Sequence, residues 1–343
     1  MKEKIPFFIL SAVVVIITLY SPNDTDTSAK VFPLSSRLAN APVAFVTYLE
    51  RTFWPHDLAI FYPFSDQLPI WQVLGTTFLI IVISAAVILM MRRLPYLFAG
   101  WFWYMITTLP VIGIMQIGFF AMADRYTYLP LTGIGIMLAW GIPSLTKSED
   151  MHKNILLPLG VFFIFIMSFI TWEQCSYWKN SITLFSHALC VTKDNHLAHG
   201  NLASALLEKG KIGGAIYHYN KAISIKPDYD VAYYNLGIAY YSLGQKQRAI
   251  EDFKEAIRIT PNYAAAYYNM GIIYIDLGQY QSAIENYSEA IRLNPYYANA
   301  YNDRALAYLN KGNKELGCSD AQKACALGVC KVLEGAKSKG LCR

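Results

Sequence analysis

One interval governs the second half of this chain. Pro227, Pro261 and Pro295 are 34 residues apart. Gly210, Gly244, Gly278 and Gly312 keep that spacing, as do Ala222, Ala256, Ala290 and Ala324. Asn201, Asn235 and Asn269 recur in the same phase, and Asp303 takes the fourth place. A chain written this way builds one small unit several times and stacks the copies, because a single unit cannot bury its own apolar face. Each repeated residue type has a task. The alanines let two helices approach closely, the glycine ends a helix in a left-handed conformation, and the proline stops the next one.

A 34-residue period of paired helices is the tetratricopeptide (TPR) pattern, and "AYYNLGIAYYSLGQKQRAIEDFKEAIRITP" carries it at several positions at once. Four repeats follow, at 196–229, 230–263, 264–297 and 298–328. The phase also runs backward. Phe185 and Ala188 stand one period before Tyr219 and Ala222, so "SITLFSHALCVT" reads as a lone second helix within a connecting and capping segment, 173–195. The last repeat has Gly317 and Cys318 where the others have Ala-Ile, and a short helix near Val329–Lys337 is expected to close the stack within a cysteine-containing cap, 329–343.

The first half obeys a different rule. Over the whole chain 55% of residues are hydrophobic and only 15% charged, against about 25% charged in ordinary soluble domains. Most of that apolarity sits in a membrane domain, 1–172. A bilayer needs about 20 apolar helical residues, and five spans are expected at 5–20, 71–91, 96–109, 126–145 and 156–172, with an outer loop at 21–70. Lys2 and Lys4 precede the first, but no small-residue cleavage site follows Tyr20, so an uncleaved anchor is expected. The fold class is therefore all-α, a multi-span α-helical membrane domain followed by a TPR α-solenoid.

Orientation follows from the basic residues. Lys2 and Lys4, Arg92 and Arg93, and Lys147 and Lys153 all fall on one side of five spans, which is then cytoplasmic. The repeats fall on the other side. Cysteine usage agrees. Cys318, Cys325, Cys330 and Cys342 crowd the tail and read as two disulfides of an oxidising compartment, with three pairings open. No CxxC spacing occurs, so a zinc site is not expected, and the CxxCH of c-type haem is absent. In the outer loop, Ala41–Trp54 is expected to lie at the interface as an amphipathic helix.

The net charge of +5 is spread out and accompanies no nucleic-acid motif. The chain has no GxSxG, P-loop, Rossmann glycines or HExxH. His196 and His199 lack a third ligand and read as packing residues. "NDTDT" at 23–27 reads as a solvated turn, and no metal is assigned. The repeats point to a protein or peptide partner. Helix A of each repeat lines the TPR groove, where Asn201, Asn235 and Asn269 offer donor and acceptor to an extended backbone. Tyr234, Tyr268, Ile238, Ile272 and Tyr241 supply apolar contact. The lysines and arginines that would grip a terminal carboxylate are missing.

"YLERTFWPHDLAIFYPF", then "ADRYTYLPLTGI", then "YWKNSITLFSHAL" running into TPRs resembles the transmembrane-and-TPR proteins of the GT-C glycosyltransferase superfamily. Animal members are protein O-mannosyltransferases of the endoplasmic reticulum. The tail "ACALGVCKVLEGAKSKGLCR" looks like endings of bacterial members, which implies a bacterial inner membrane with the N-terminus cytoplasmic and the repeats periplasmic. The resemblance implies a polyprenyl-phosphate sugar donor, and places Asp124, Arg125 and Tyr126 at the outer mouth of the membrane domain. There Arg125, with Arg51, His56 and Tyr62, would contact a lipid phosphate or headgroup. The likeness covers the later part of the family pattern. The acidic catalytic residues of the family's first outer loop have no counterpart here, so a truncated, split or degenerate enzyme is expected and no catalytic base is assigned. Two functions follow: an extracytoplasmic peptide-binding scaffold in a membrane, or a glycosyltransferase of GT-C type.

Overall fold

The structure is a computed structural model and describes residues 33–60, 62–64, 68–112, 120–145 and 151–342. The chain divides into two compact units, Met1–Val31 and Phe32–Arg343. All described residues lie in the second, so the expected span at 5–20 and the acidic turn at 23–27 lie outside them.

Helix α1 (Leu34–Phe53) buries Asn40, Ala41, Ala44, Phe45 and Tyr48, a stripe at three- and four-residue spacing. This stripe does not lie against an interface as the outer-loop pattern suggested; it forms the core of the membrane-type half. α2 (Ile70–Met90), α3 (Pro95–Thr108) and α4 (Tyr128–Leu145) follow. Phe45 meets the rings of Tyr104 and Trp101 edge-on, at 5.0 and 5.7 Å. Trp101 donates from its indole N–H to Ser84 at 2.9 Å, tying α3 to α2. α3 and α4 touch where Gly100 faces Gly133, and a Cβ on either would overlap the other's carbonyl oxygen. A two-stranded antiparallel ribbon, β1 (Tyr62–Pro63) with β2 (Phe120–Met122), closes the end of this half.

Among the described residues two helices are long and apolar enough to cross a membrane: Ile70–Met90 and Lys153–Tyr177. The second begins as a π-helical turn, His152–Leu156, and continues as α5 (Leu157–Tyr177), with its apolar side chains exposed all round. The expected spans at 96–109 and 126–145 are shorter helices. With 14 residues α3 reaches about 21 Å, short of a hydrocarbon core of about 30 Å. Leu109–Val111, a 3₁₀ turn containing Pro110, succeeds it.

α6 (Ser181–Val191) is the lone helix before the repeats. Helix pairs then succeed one another: α7 (His196–Glu208) and α8 (Ile212–Ile225), α9 (Asp230–Ser242) and α10 (Lys246–Ile259), α11 (Ala264–Asp276) and α12 (Tyr280–Leu293), α13 (Ala298–Asn310) and α14 (Lys314–Ala326). Between the helices of a pair the chain turns through a left-handed glycine. Gly244 has φ 73°, and its N–H and that of Gln245 bond to Tyr241 and Tyr240 carbonyls at 2.9 Å. Within the second and third pairs, an aromatic ring of the second helix lies on a glycine of the first, Phe253 on Gly237 and Tyr287 on Gly271. α15 (Lys331–Ser338) packs on α13 and α14. Disulfides Cys318–Cys342 and Cys325–Cys330, with Cα–Cα separations of 5.5 and 4.1 Å, fasten this end, and Cys175 and Cys190 are free and exposed.

The repeat register carries one charged exception. Leu202, Leu236 and Met270 stand one period apart as apolar residues of the first helices, and Arg304 takes the fourth place. Its guanidinium reaches Asp320 twice, at 2.7 and 2.9 Å, and Ser288 at 2.9 Å. Asp252 occupies the position of Asp320 in the second repeat, where Leu236 offers no such partner. One oxygen of Asp252 is buried without a hydrogen bond, and burial, with Glu251 and Glu255 adding to it, pushes the carboxyl up to about 7. The folded state thus favours the protonated form. Stability from this group is complete below the unfolded value near 3.9, falls as pH rises, and levels off above about 7. Asp252→Asn is expected to raise stability at pH 8 by about 1 kcal/mol, a figure discounted for partial solvent screening. Thermal unfolding followed by circular dichroism between pH 4 and 8 should show a flatter pH dependence in this variant than in the native chain.

Candidate functional site

Two places gather polar side chains. The first is a clasp at one end of the membrane-type half. The ribbon brings Ala123 and Asp124 beside the end of α1, and the loop after α1 folds over them. The Tyr48 hydroxyl accepts from the Ala123 N–H at 2.9 Å and donates to its carbonyl at 3.1 Å. Asp124 follows in a 3₁₀ turn, Asp124–Thr127. One carboxylate oxygen faces Arg51 at 3.4 Å. The other accepts from the Tyr62 hydroxyl at 2.7 Å and the Ala59 N–H at 2.9 Å. The Arg51 guanidinium lies 4.2 Å over the Tyr62 ring. Burial pushes the Asp124 carboxyl above its usual range, while Tyr62, Arg51 and the Ala59 N–H pull the other way.

Of the lipid-phosphate candidates, Arg51, Tyr62 and Asp124 therefore come together, and they bind one another. Asp124, an acid between two apolar stretches of the sequence, is the hub of these contacts. His56 stands apart, exposed, with its Nδ1 2.9 Å from the Trp54 carbonyl. Tyr126 is half-buried in the turn. Arg125 occupies the same turn, and its side chain lies outside the described residues. Beside the clasp is a half-open cavity of about 410 Å³, lined by Tyr48, Arg51, Asp124, Tyr177, Trp178 and His187 among others.

The clasp also meets the repeats. Ala59 donates its N–H to Asp124 and buries its methyl against Ala188 of α6 and Ala198 of α7. Ile60 and Tyr62 pack on the same cluster. Sequence reasoning missed this role of Ala59, and no local signal marks an alanine for it.

The second place is the face built by the first helices of the repeats. There a tyrosine of one repeat bonds a residue of the next, 35 positions on. Asn269 donates to the Tyr234 hydroxyl at 2.9 Å, Tyr268 donates to Asp303 at 2.8 Å, and Tyr241 donates to Asp276 at 2.8 Å. The expected asparagine ladder is thus divided. Asn269 is engaged by the neighbouring repeat, and Asn201 donates to the Leu197 carbonyl of its own helix at 2.8 Å. Asn235 makes no side-chain hydrogen bond among the described residues. The cause is legible in the register: the tyrosine that would reach it belongs at position 200, which is Gly200, held clear by the ring of Tyr229. Tyr234, Ile238, Tyr241, Tyr268 and Ile272 are all partly buried around this line. Tyr234 stacks on Tyr263 at 4.8 Å.

A family model described as TPR repeat matches residues 203–244, 239–278 and 271–312. Residues 203–312 are TPR repeats. Among curated proteins, the human Protein O-mannosyl-transferase TMTC4 is 32% identical over 101 residues, 29% of this chain and 13% of that protein. Protein O-mannosyl-transferase Tmtc2 of Drosophila melanogaster is 32% identical over 92 residues, 27% of this chain and 10% of that protein. The matched stretches span only a small part of these relatives. The crystal structure of MamA shares 29% identity, with a TM-score of 0.41, over 46% of this chain and 89% of its own.

Asp124→Ala removes the acceptor of three donors and leaves Arg51 without its counter-charge. A loss of about 3 kcal/mol is expected, together with faster proteolytic cutting between Pro55 and Ile60. Asp124→Asn keeps one acceptor oxygen and should fall between the two.

Proposed function

We propose that this chain is a membrane-anchored scaffold whose TPR face holds an extended peptide segment of a partner protein outside the cytoplasm. The observation that carries this reading is the Asn235 amide. It sits among partly buried tyrosines and isoleucines with donors and acceptor unused, at the one interval where the tyrosine rung is missing. An amide in such a place matches the alternating N–H and C=O of an extended backbone. The apolar helices supply the anchor and the lipid contact. The two disulfides of the C-terminal end suit an oxidising compartment, and the basic clusters favour the same side for the repeats.

The identity shared with two animal O-mannosyl-transferases supports a second reading, in which the groove presents an acceptor polypeptide to transfer from a polyprenyl-phosphate sugar. Within this chain Asp124 is a poor candidate for the base that such transfer needs, since both its oxygens are engaged.

Two experiments test the proposal. A random twelve-residue peptide library panned on the detergent-solubilised chain should yield binders that lose about tenfold in affinity with Asn235→Ala. The same binders should lose little with Asn201→Ala, whose amide is already used. Equal losses would refute the groove assignment. For orientation, a membrane-impermeant maleimide should label the exposed Cys190 in sealed right-side-out vesicles without permeabilisation. Labelling only after permeabilisation would place the repeats in the cytoplasm.

A further inference from the structure

The far end of the same face holds an acid that forms no ion pair among the described residues. Asp303 lies on α13, two repeats beyond Asn235. Its Oδ2 accepts from the Tyr268 hydroxyl at 2.8 Å, and its Oδ1 accepts from the Asn302 amide at 2.9 Å. Both donors are neutral. Among the described residues no lysine, arginine or histidine forms an ion pair with it. The other acids nearby are compensated. Asp276 has Lys246 at 3.7 Å, and Asp320 has the whole guanidinium fork of Arg304, the residue next to Asp303. Arg304 turns its charge into the repeat and leaves Asp303 facing the groove line without a counter-charge.

The carboxylate is also held in place. Asn302 is buried, and its Oδ1 accepts from the Val332 N–H at 3.2 Å, so the cap helix α15 decides which end of the amide faces Asp303. Tyr268, fixed by its bond to Asp303, lies 4.9 Å from the ring of Tyr297. Two electron-rich rings thus neighbour a negative group, an arrangement that suits a cationic side chain. The Tyr268 hydroxyl is pushed well above its usual range by burial first, then by its bond to Asp303 and by that residue's charge.

We propose that Asp303, walled by Tyr268 and Tyr297, is a subsite for a lysine or arginine side chain of the peptide bound along the TPR face. The inference rests on the groove reading above and adds the class of partner: an extended segment with a basic residue at a fixed distance from the residue opposite Asn235. Lysine contributes its ammonium to the carboxylate. Arginine can in addition stack its plane on a tyrosine ring.

The same twelve-residue library, panned on the full chain and on Asp303→Asn, tests this. Asparagine keeps an acceptor for Tyr268, and unchanged thermal unfolding would confirm that the variant is folded. The native pool should show lysine or arginine at one aligned position. The variant's pool should keep binding that depends on Asn235 and lose that basic position. An enriched peptide whose lysine is replaced by norleucine should bind the native chain about tenfold more weakly and the Asp303→Asn chain equally well. Binders that depend on Asn235 but carry no fixed basic residue would overturn the subsite and leave the groove reading standing. So would a norleucine penalty that persists in Asp303→Asn. A library that yields no binder sensitive to Asn235→Ala would defeat the groove reading and the subsite together.

Discussion

Ala59 belongs to both halves of the chain at once. Its N–H ends on the Asp124 carboxylate, and its methyl fills the space between Ala188 and Ala198. Around it, Arg51 balances the charge, Tyr62 shares the carboxylate, and Tyr48 grips Ala123 from both sides. A charge in a half-buried place is costly unless it is paired and bonded, and here the partners come from the end of α1, the loop after it and β1. The outcome is that α1, the loop after it, the ribbon and the first two helices of the solenoid are fixed relative to one another through a few atoms.

Beyond that junction the structure is one-dimensional. The second and third repeats are each closed internally by an aromatic ring on a glycine, and tyrosine bonds 35 residues on join the second repeat to the third and the third to the fourth. Departures from the repeat are therefore informative, because the physics of every other position is held constant. Gly200 in place of a tyrosine frees Asn235. Arg304 in place of an apolar residue satisfies Asp320, and the lack of such an arginine two repeats earlier leaves Asp252 buried without that partner. The proposed contacts with a partner fall at two such departures.

The repeat boundaries and the paired helices were legible because 34-residue recurrence fixes several residue types at once. The four tail cysteines announced disulfides, while their pairing had to wait for the fold. The membrane half was harder. Apolar runs say how much of the chain avoids water, but helix length is decided by local breaks. Pro110 and the turn around it limit α3 to 14 residues, too few to cross a full hydrocarbon core. The stripe through Ala41, Ala44, Phe45 and Tyr48 was visible as amphipathic, yet nothing local said that protein and not lipid would cover it. Asp124 and Arg51 stood out as charges in apolar surroundings. That they neutralise each other is a long-range fact, 73 residues apart, which no short window contains. Arg304 could have been found in advance, since it breaks the phase of Leu202, Leu236 and Met270. The fate of the asparagines could not, because it depends on which tyrosine of the preceding repeat is present.

The last helix, α15, sits one repeat period beyond α13 and takes the seat that the first helix of another repeat would fill, with its own backbone bonded to Asn302 and two cystines riveting it down. An array of this kind grows by offering its terminal surface to the next unit. α15 covers that surface here, so the end of the fourth repeat has from a single short helix the shelter that a further helix pair would otherwise give it.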